Sequence, residues 1–478
     1  MDNKPLRSFL EIPYDELEEM NLSAKKKRKE GTSEKELKEF YLNYLKKEKR
    51  LKAVTIGFSD LEGRFHMIDY DKKFFLNSYD NMTFDGSSIR GFARQAESDL
   101  RLGIDWAAFW WLPSDVFGPG KVLMMGKIID QNEKPYQMDA RGILKSYLEV
   151  LYKKYQYKVY AANEVEGFLV KGIDAEQVYN EKVGFELVST GGYYHSLPKD
   201  ILREFIDRSA EAQRAMGFEN EKDHPEVAPS QFELNYSYAD AMIAADQIQI
   251  YKLICRQVAR NMGMTATFLP KPVMGINGSG MHTNISIFKN NKNLFHDKNG
   301  RGQLSDLAWK FIERILSSAN DICLLLNSSV NAYRRLDPHF EAPNEIKVSE
   351  IDRGAMVRVP LHNEKSARIE VRSVGTDANP YLLIYSLIKT GLEGKTEEID
   401  KEKRPRARFL PGDINTAINH FRQSDFVTLI LGEEMKKKFI DLKQKTADRS
   451  PSDLGTRVKN SEVIYHHEVH NQMLWNDF

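Results

Sequence analysis

Four short stretches of this sequence alternate side chains that can do chemistry with side chains that cannot. In NEVEGF, residues 163–168, Glu164 and Glu166 stand at i and i+2. An extended chain sends such positions to one face. In residues 275–288, His282, Asn284 and Ser286 alternate with Thr283, Ile285 and Ile287. Gln231, Glu233 and Asn235 alternate with Phe232, Leu234 and Tyr236, and Arg368, Glu370 and Arg372 with Ile369 and Val371. A solvent-facing edge accounts for any one of these. Paired acids, a histidine and an Arg-Glu-Arg comb in one chain argue instead for a shared polar cavity. Carboxylates gathered there need cations, and an oxygen-rich set with one imidazole suits Mg2+ or Mn2+ better than Zn2+. The Asn277-Gly278-Ser279-Gly280 loop before His282 adds backbone that can approach a ligand closely.

The elements that must hold these residues divide the chain into three parts. Residues 1–50 read as a charged extension. Its basic run, Lys25 to Lys29, reads as solvated charge, and Ser33 with Glu36 as a capping box ahead of helically spaced Leu37, Tyr41 and Leu45. Residues 51–135 read as a small mixed domain with strands near 51–58, 65–70 and 122–129 and a glycine- and serine-bearing loop, FDGSSIRGF, at 84–92. Residues 136–478 form the larger domain. Helices are predicted over 141–155, 200–216, 239–262 and 304–326, and from Asn379 onward. The segment 331–343 is too rich in proline and charge to predict a regular element.

Composition bounds the function. At 478 residues, 41% hydrophobic and 29% charged, the chain has ample core for two domains. Lysine plus arginine and aspartate plus glutamate both number 69, so a formal net charge of +0 offers no global attraction to nucleic acid. No apolar run approaches membrane-spanning length. The N-terminal residues lack the apolar core of a signal peptide. Cys255 and Cys323 lie in apolar runs and suit a reducing compartment. A soluble, cytoplasmic protein is expected, with no membrane or nucleic-acid partner.

The ordered set FDGSSIRGF, NEVEGF, GGYY, EVAPSQFE, TATFLPKPVMGINGSGMH, NAYRRLDPHFEAP, RIEVRS and NPYL resembles glutamine synthetase of the bacterial type I family. The resemblance runs collinearly from about Gly57 to Gly394 and is weak outside it. It implies an α+β fold: a small N-terminal β-grasp domain, then a catalytic domain with a curved antiparallel sheet flanked by helices. It implies ATP-dependent ligation of ammonia to the γ-carboxylate of L-glutamate through γ-glutamyl phosphate, with two or three Mg2+ or Mn2+ per subunit. Carried over motif by motif, Glu166, Glu226 and Glu233 hold one ion, and Glu164, His282 and Glu370 the other. Asn277, Gly278, Arg335 and Arg372 hold glutamate. Arg353, Arg358 and Arg368 meet phosphate oxygens, Arg353 as a catalytic group, while Tyr238, Ser286 and Lys365 contact the nucleotide. Asp85, supplied by a neighbouring subunit, binds ammonium and takes its proton, in a pocket completed by Ser88, Tyr193, Glu226 and Glu341. Glu341 also shields the acyl phosphate. The implied assembly is a homo-oligomer, a dodecamer of two hexameric rings.

Departures from the family pattern occur at Gly167, Pro225, Val348, the Asp352-Arg353-Gly354 turn and Val374-Gly375. They leave two alternatives open: a γ-glutamyl ligase for a larger amine such as a polyamine or ethanolamine, and a non-catalytic scaffold or regulatory relative.

Overall fold

The computed structural model describes residues 12–95, 98–179, 184–195, 200–337, 342–396 and 407–452. The charged extension folds into two helices, α1 (Tyr14–Lys29) and α2 (Glu34–Lys47). The capping box is present: Glu36 N–H donates to the Ser33 hydroxyl, and Ser33 N–H donates back to the Glu36 carboxylate. Leu37, Tyr41 and Leu45 are buried along one face of α2, where Tyr41 stacks on Phe109 with ring centroids 4.1 Å apart.

The basic run is solvated only in part. Lys26 remains exposed and lies 3.9 Å from Glu30. Lys25 pairs with Glu219 at 2.7 Å and Arg28 with the fully buried Asp246 at 2.9 Å. These side chains are withdrawn because α1 packs on both following domains. Asn21 makes the attachment. Its Nδ2 donates to the carbonyls of Trp111 (3.0 Å) and Ala215 (2.8 Å), and its Oδ1 accepts from Trp111 N–H at 3.0 Å.

The small domain is a five-stranded sheet of β1 (Ala53–Ser59), β2 (Phe65–Asp71), β3 (Thr83–Asp85), β4 (Asp99–Trp111) and β5 (Lys121–Ile129), in the order β2-β1-β5-β4-β3. β1 and β5 are parallel and the other neighbours antiparallel. The β1–β2 turn is held by Asp60, whose carboxylate accepts from the N–H groups of Glu62 and Arg64.

The large domain is built on a second sheet. Its strands are β6 (Lys158–Lys171), β7 (Asn220–Pro225), β8 (Gln231–Tyr236), β9 (Ala239–Asp240), β10 (Met264–Thr267), β11 (Met281–Lys289), β12 (Lys292–Asn293), β13 (Glu345–Ser349), β14 (Ala355–Arg358) and β15 (Ile369–Val371). The main path is β13-β14-β15-β11-β6-β8-β7, antiparallel except for the β13–β14 pair. The helices Ala241–Asn261 and Pro380–Glu393 are buried along most of their length. Asn379 caps the latter by accepting from Tyr381 and Leu382 N–H, with Pro380 in the first turn, where a missing N–H costs nothing.

Two local expectations change. The helix predicted over 304–326 is two, Asp306–Ser317 and Ala319–Leu326, because Ser318 leaves helical geometry (φ −98°, ψ 10°). The segment read as irregular begins with a helix, Val330–Arg335, since Ser329 caps Ala332 N–H before the prolines are reached.

The domains are joined by a buried ion network. Arg141 donates to Asp105 of β4 and to Asp246, each at 2.8 Å, and Tyr381 and Arg28 also donate to Asp246. Its neighbour in the attachment of α1, Asn21, gives a direct test. Asn21→Ala leaves the Trp111 N–H buried without a partner and should cost about 1–3 kcal/mol in urea unfolding. An unchanged midpoint would mean that α1 is not anchored to the two domains.

Candidate active site

The large sheet brings the four alternating stretches together. β6 is the axis. Glu164 and Glu166 share one face, while Val165 between them is fully buried and its carbonyl accepts from Tyr251 Oη at 2.9 Å. On one side β11 sets His282 directly opposite Glu164, and β15 beyond it sets Glu370 opposite Asn284. On the other side β8 sets Glu233 opposite Glu166, and β7 sets His224 opposite Glu233. Adjacent strands lie about 4.8 Å apart, so facing side chains in register must interact.

Two clusters result. Glu164, His282 and Glu370 each offer a ligand atom within 4.8 Å of the others, and so do His224, Glu226 and Glu233. His282 Nδ1 lies 3.4 Å from Glu164 and 3.8 Å from Glu370. Glu166, grouped by the resemblance with Glu226 and Glu233, stands between the clusters, opposite Glu233 and 4.0 Å from His282 Nε2. His224 belongs to no residue set that the resemblance implies. The period-two rule could have found it, because Lys222, His224 and Glu226 are two apart.

Crowding separates the acids electrically. Glu370 is fully buried and accepts from Arg358 Nε at 2.6 Å and Arg372 Nη1 at 2.8 Å. Among the described residues Glu226 has no lysine or arginine partner, only His224, whose Nδ1 lies 3.6 Å away. Burial, then the charges of Glu166 and Glu233, push its carboxyl up to about 9. Burial and Glu233 also raise Glu166, against the pull of His282 and Arg335. Burial acts on Glu164 in the same sense, yet His282, Asn284 and Lys222 outweigh it and hold that carboxyl near 2. A site where added carboxylates resist ionising fits a divalent cation, and the carboxylate and imidazole donors fit Mg2+ or Mn2+.

All of these acids and histidines except the fully buried Glu370 line a cavity of about 470 Å³, lined also by Tyr193, Asn277, Gly278, Arg335, Arg353, Arg358, Arg368 and Arg372. The glycine loop allows this approach. A Cβ on Gly280 would sit 2.3 Å from Arg335 Nη2, and one on Gly278 2.4 Å from the Pro270 carbonyl. Gly280 N–H donates to Glu166 at 2.9 Å. Arg335 is buried and donates to the carbonyls of Val374 and Arg372. Burial lowers its guanidinium to about 10, so it stays charged at neutral pH.

A second cavity of about 360 Å³ adjoins the first and contains Tyr160, Tyr238, Ser286, Lys365 and Arg368. Arg368 Nε donates to Asn284, whose Nδ2 donates to Glu164, tying the two cavities by a polar chain.

Two predicted residues are not brought here. Asp85, at the end of β3, and Ser88 are on the small domain and do not line the cavity. Asp85 is exposed, and its carboxylate accepts from the hydroxyls of Ser87 and Ser88 and from Ser87 N–H, which hold it below the usual range. Glu341 lies outside the described residues. The departure at Gly167 is filled from behind. A Cβ there would meet the buried Phe232 ring at 2.6 Å, so Phe232 occupies the volume on the core side of the sheet.

A family model described as "Glutamine synthetase, beta-Grasp domain" matches residues 50–131, and one described as "Glutamine synthetase, catalytic domain" matches residues 137–458. The chain belongs to the glutamine synthetase family. Curated glutamine synthetases of Thermus thermophilus and Staphylococcus epidermidis are 34% and 35% identical to it. Each alignment covers 83% of this chain, and 92% and 91% of the relatives. Its fold is that of a Plasmodium falciparum glutamine synthetase (TM-score 0.77, 23% identity, 88% of this chain and 98% of the other). A GmaS protein in complex with ADP matches similarly (TM-score 0.75, 24% identity, 88% and 99%). The chain is thus a glutamine synthetase-family ligase with the β-grasp and catalytic domains in family order. Among the described residues no helix is long and apolar enough to cross a membrane.

The raised Glu226 carboxyl predicts how the metal-free ligase responds to pH. Above the ordinary carboxylate range the unfolded chain has released this proton, while the folded chain keeps it up to about 9. The folded state therefore loses stability as pH rises between about 5 and 9. A divalent cation that replaces the proton offsets the loss. Melting temperatures of EDTA-treated protein should fall across this window and flatten with saturating Mn2+. A metal-free profile that rises or stays level contradicts the crowding.

Proposed function

We propose that this ligase joins ammonia to the γ-carboxylate of L-glutamate at the expense of ATP, giving glutamine, ADP and phosphate through γ-glutamyl phosphate. The observation that carries the reading is one cavity lined by five arginines and by members of two carboxylate–histidine clusters, adjoining a second cavity lined by tyrosines. Phosphorylating a carboxylate brings two anions together, and such a site offers matched countercharge.

Glu166, Glu226 and Glu233, with His224 beside them, would hold one divalent ion, and Glu164, His282 and Glu370 the second; two or three Mg2+ or Mn2+ per subunit serve the reaction. When bound, these ions screen the charge on phosphate and carboxylate oxygens. Arg335 and Arg372, with Asn277 and Gly278, hold glutamate, and Arg353, Arg358 and Arg368 meet the transferred phosphoryl group as permanent planar cations. Tyr238, Ser286 and Lys365 receive the nucleotide. A γ-carboxylate oxygen attacks the terminal phosphorus and ADP leaves. Ammonia then attacks the acyl carbon and phosphate leaves.

Ammonium has no lone pair, so a base must act first. Asp85, with Ser88, takes that proton in a neighbouring subunit's site, completed by Tyr193, Glu226 and Glu341, the last of which also keeps water from the acyl phosphate. The exposure of Asp85 and its absence from its own chain's cavity lining support a site shared between subunits of a homo-oligomer, a dodecamer of two hexameric rings. The two buried free cysteines support a cytoplasmic setting.

The second reading, a larger amine, is favoured by the family's breadth and by the sequence departures, but the Gly167 departure lies against Phe232 in the core. Glutamate-dependent ADP release should be faster with ammonium than with methylamine, ethanolamine or putrescine. A higher kcat/KM for any of these amines would overturn the assignment. Asp85→Ala should reduce glutamine formation by about a hundredfold or more, and Glu370→Ala should abolish Mn2+ binding and turnover. Co-expression of the two variants should restore activity through mixed sites. Failure to restore it would remove Asp85 from the partner's site.

A further inference from the structure

β7 is an edge strand, and its alternate residues Lys222 and His224, followed by Glu226, line the metal-cluster cavity. His224 and Glu226 belong to a cluster of that cavity, and Lys222 has no part in it. Among the described residues the Lys222 ammonium makes no hydrogen bond or ion pair, and the side chain is exposed, while its backbone pairs opposite Asn235 in β8. Its position is distinctive. Glu164, Lys222 and Arg368 are the residues that line both cavities, so they frame the passage between the tyrosine-lined space and the arginine-lined space.

A ligand with an aromatic ring in one cavity and a terminal phosphate in the other must carry its intervening phosphates through that passage. Glu164 alone there would repel them. Arg368 is partly engaged already, with Nε on Asn284 and Nη1 on the Ser366 carbonyl. The strand order places β7 at one edge of the sheet and Arg368, next to β15, on the other side of β6. The two cations thus approach the passage from opposite sides. A lysine ammonium is a compact point charge on a flexible stem, suited to phosphate oxygens whose position shifts as a terminal phosphoryl group departs. Lys222 also bears on Glu164, whose carboxyl it helps to keep ionised.

We propose that Lys222 is a nucleotide-binding residue that contacts the phosphates between the base and the transferred group, opposite Arg368. This rests on the reading of the chain as an ATP-dependent ligase and adds a contact that the resemblance does not imply.

Titration calorimetry of the full-length protein with ADP and with adenosine, in Mg2+, tests it. Lys222→Gln should weaken ADP binding by about tenfold and flatten its dependence on salt, with adenosine unchanged. Lys222→Arg should recover most of the affinity. Unaltered ADP binding by Lys222→Gln overturns the contact while leaving the ligase reading intact. Equal weakening of ADP and adenosine also overturns it, since the lysine would then act on the shape of the site. A wild-type protein that binds no ADP overturns the ligase reading and the contact together.

Discussion

Carboxylates brought together in a partly buried site repel one another, and the rest of this structure is arranged around that repulsion. Ionised acids withdrawn from water persist only with countercharge or strong hydrogen bonds. The chain meets this requirement unequally. Glu370, fully buried, is held by two arginines from its own sheet. Glu226 has no arginine or lysine partner among the described residues, and burial, with the charges of Glu166 and Glu233, pushes its carboxyl up to about 9. One half of the site is neutralised by the protein. The other is a crowd of acids whose ionisation burial and mutual repulsion oppose.

The scaffold makes such crowding tolerable by placing it on a stiff sheet backed by buried helices. β6 contributes two of the acids and is paired along its length, so neither can swing away without breaking ladder hydrogen bonds. Behind it the helix Ala241–Asn261 presents Tyr251 to the Val165 carbonyl and Asp246 to the network of Arg28, Arg141 and Tyr381. That network also reaches Asp105 in β4. The small domain and the charged extension are therefore tied to the same helix that supports the acids. Asp85, on the edge strand β3 of the small domain, is oriented by serine hydroxyls and does not line its own chain's cavity.

Much of the site was legible because a strand has period two. Alternation alone places Glu164 with Glu166, and His282 with Asn284 and Ser286. His224 and Lys222 were less legible. They belong to a short edge strand, Asn220–Pro225, whose residues are nearly all polar, so no apolar partner face marks the alternation. The helix Val330–Arg335 was obscured by the prolines that follow it, although Ser329 supplies its cap locally. The split of the 304–326 helix at Ser318 has no marker as strong as glycine or proline.

What the sequence by itself determined was which side chains share a face, the α+β class and the membership of the family, since each depends on local periodicity or on collinear motifs. Only the tertiary structure decided which acid faces which. Strand order and register are products of long-range pairing, and no local preference sets Glu166 opposite Glu233 or His282 opposite Glu164. The same pairing brought His224 into the second cluster and left Lys222 at the meeting of two cavities. It also left Asp85 outside the site of its own chain. Electrostatics follows from these distances, so the uneven ionisation of the acids is a property of the fold.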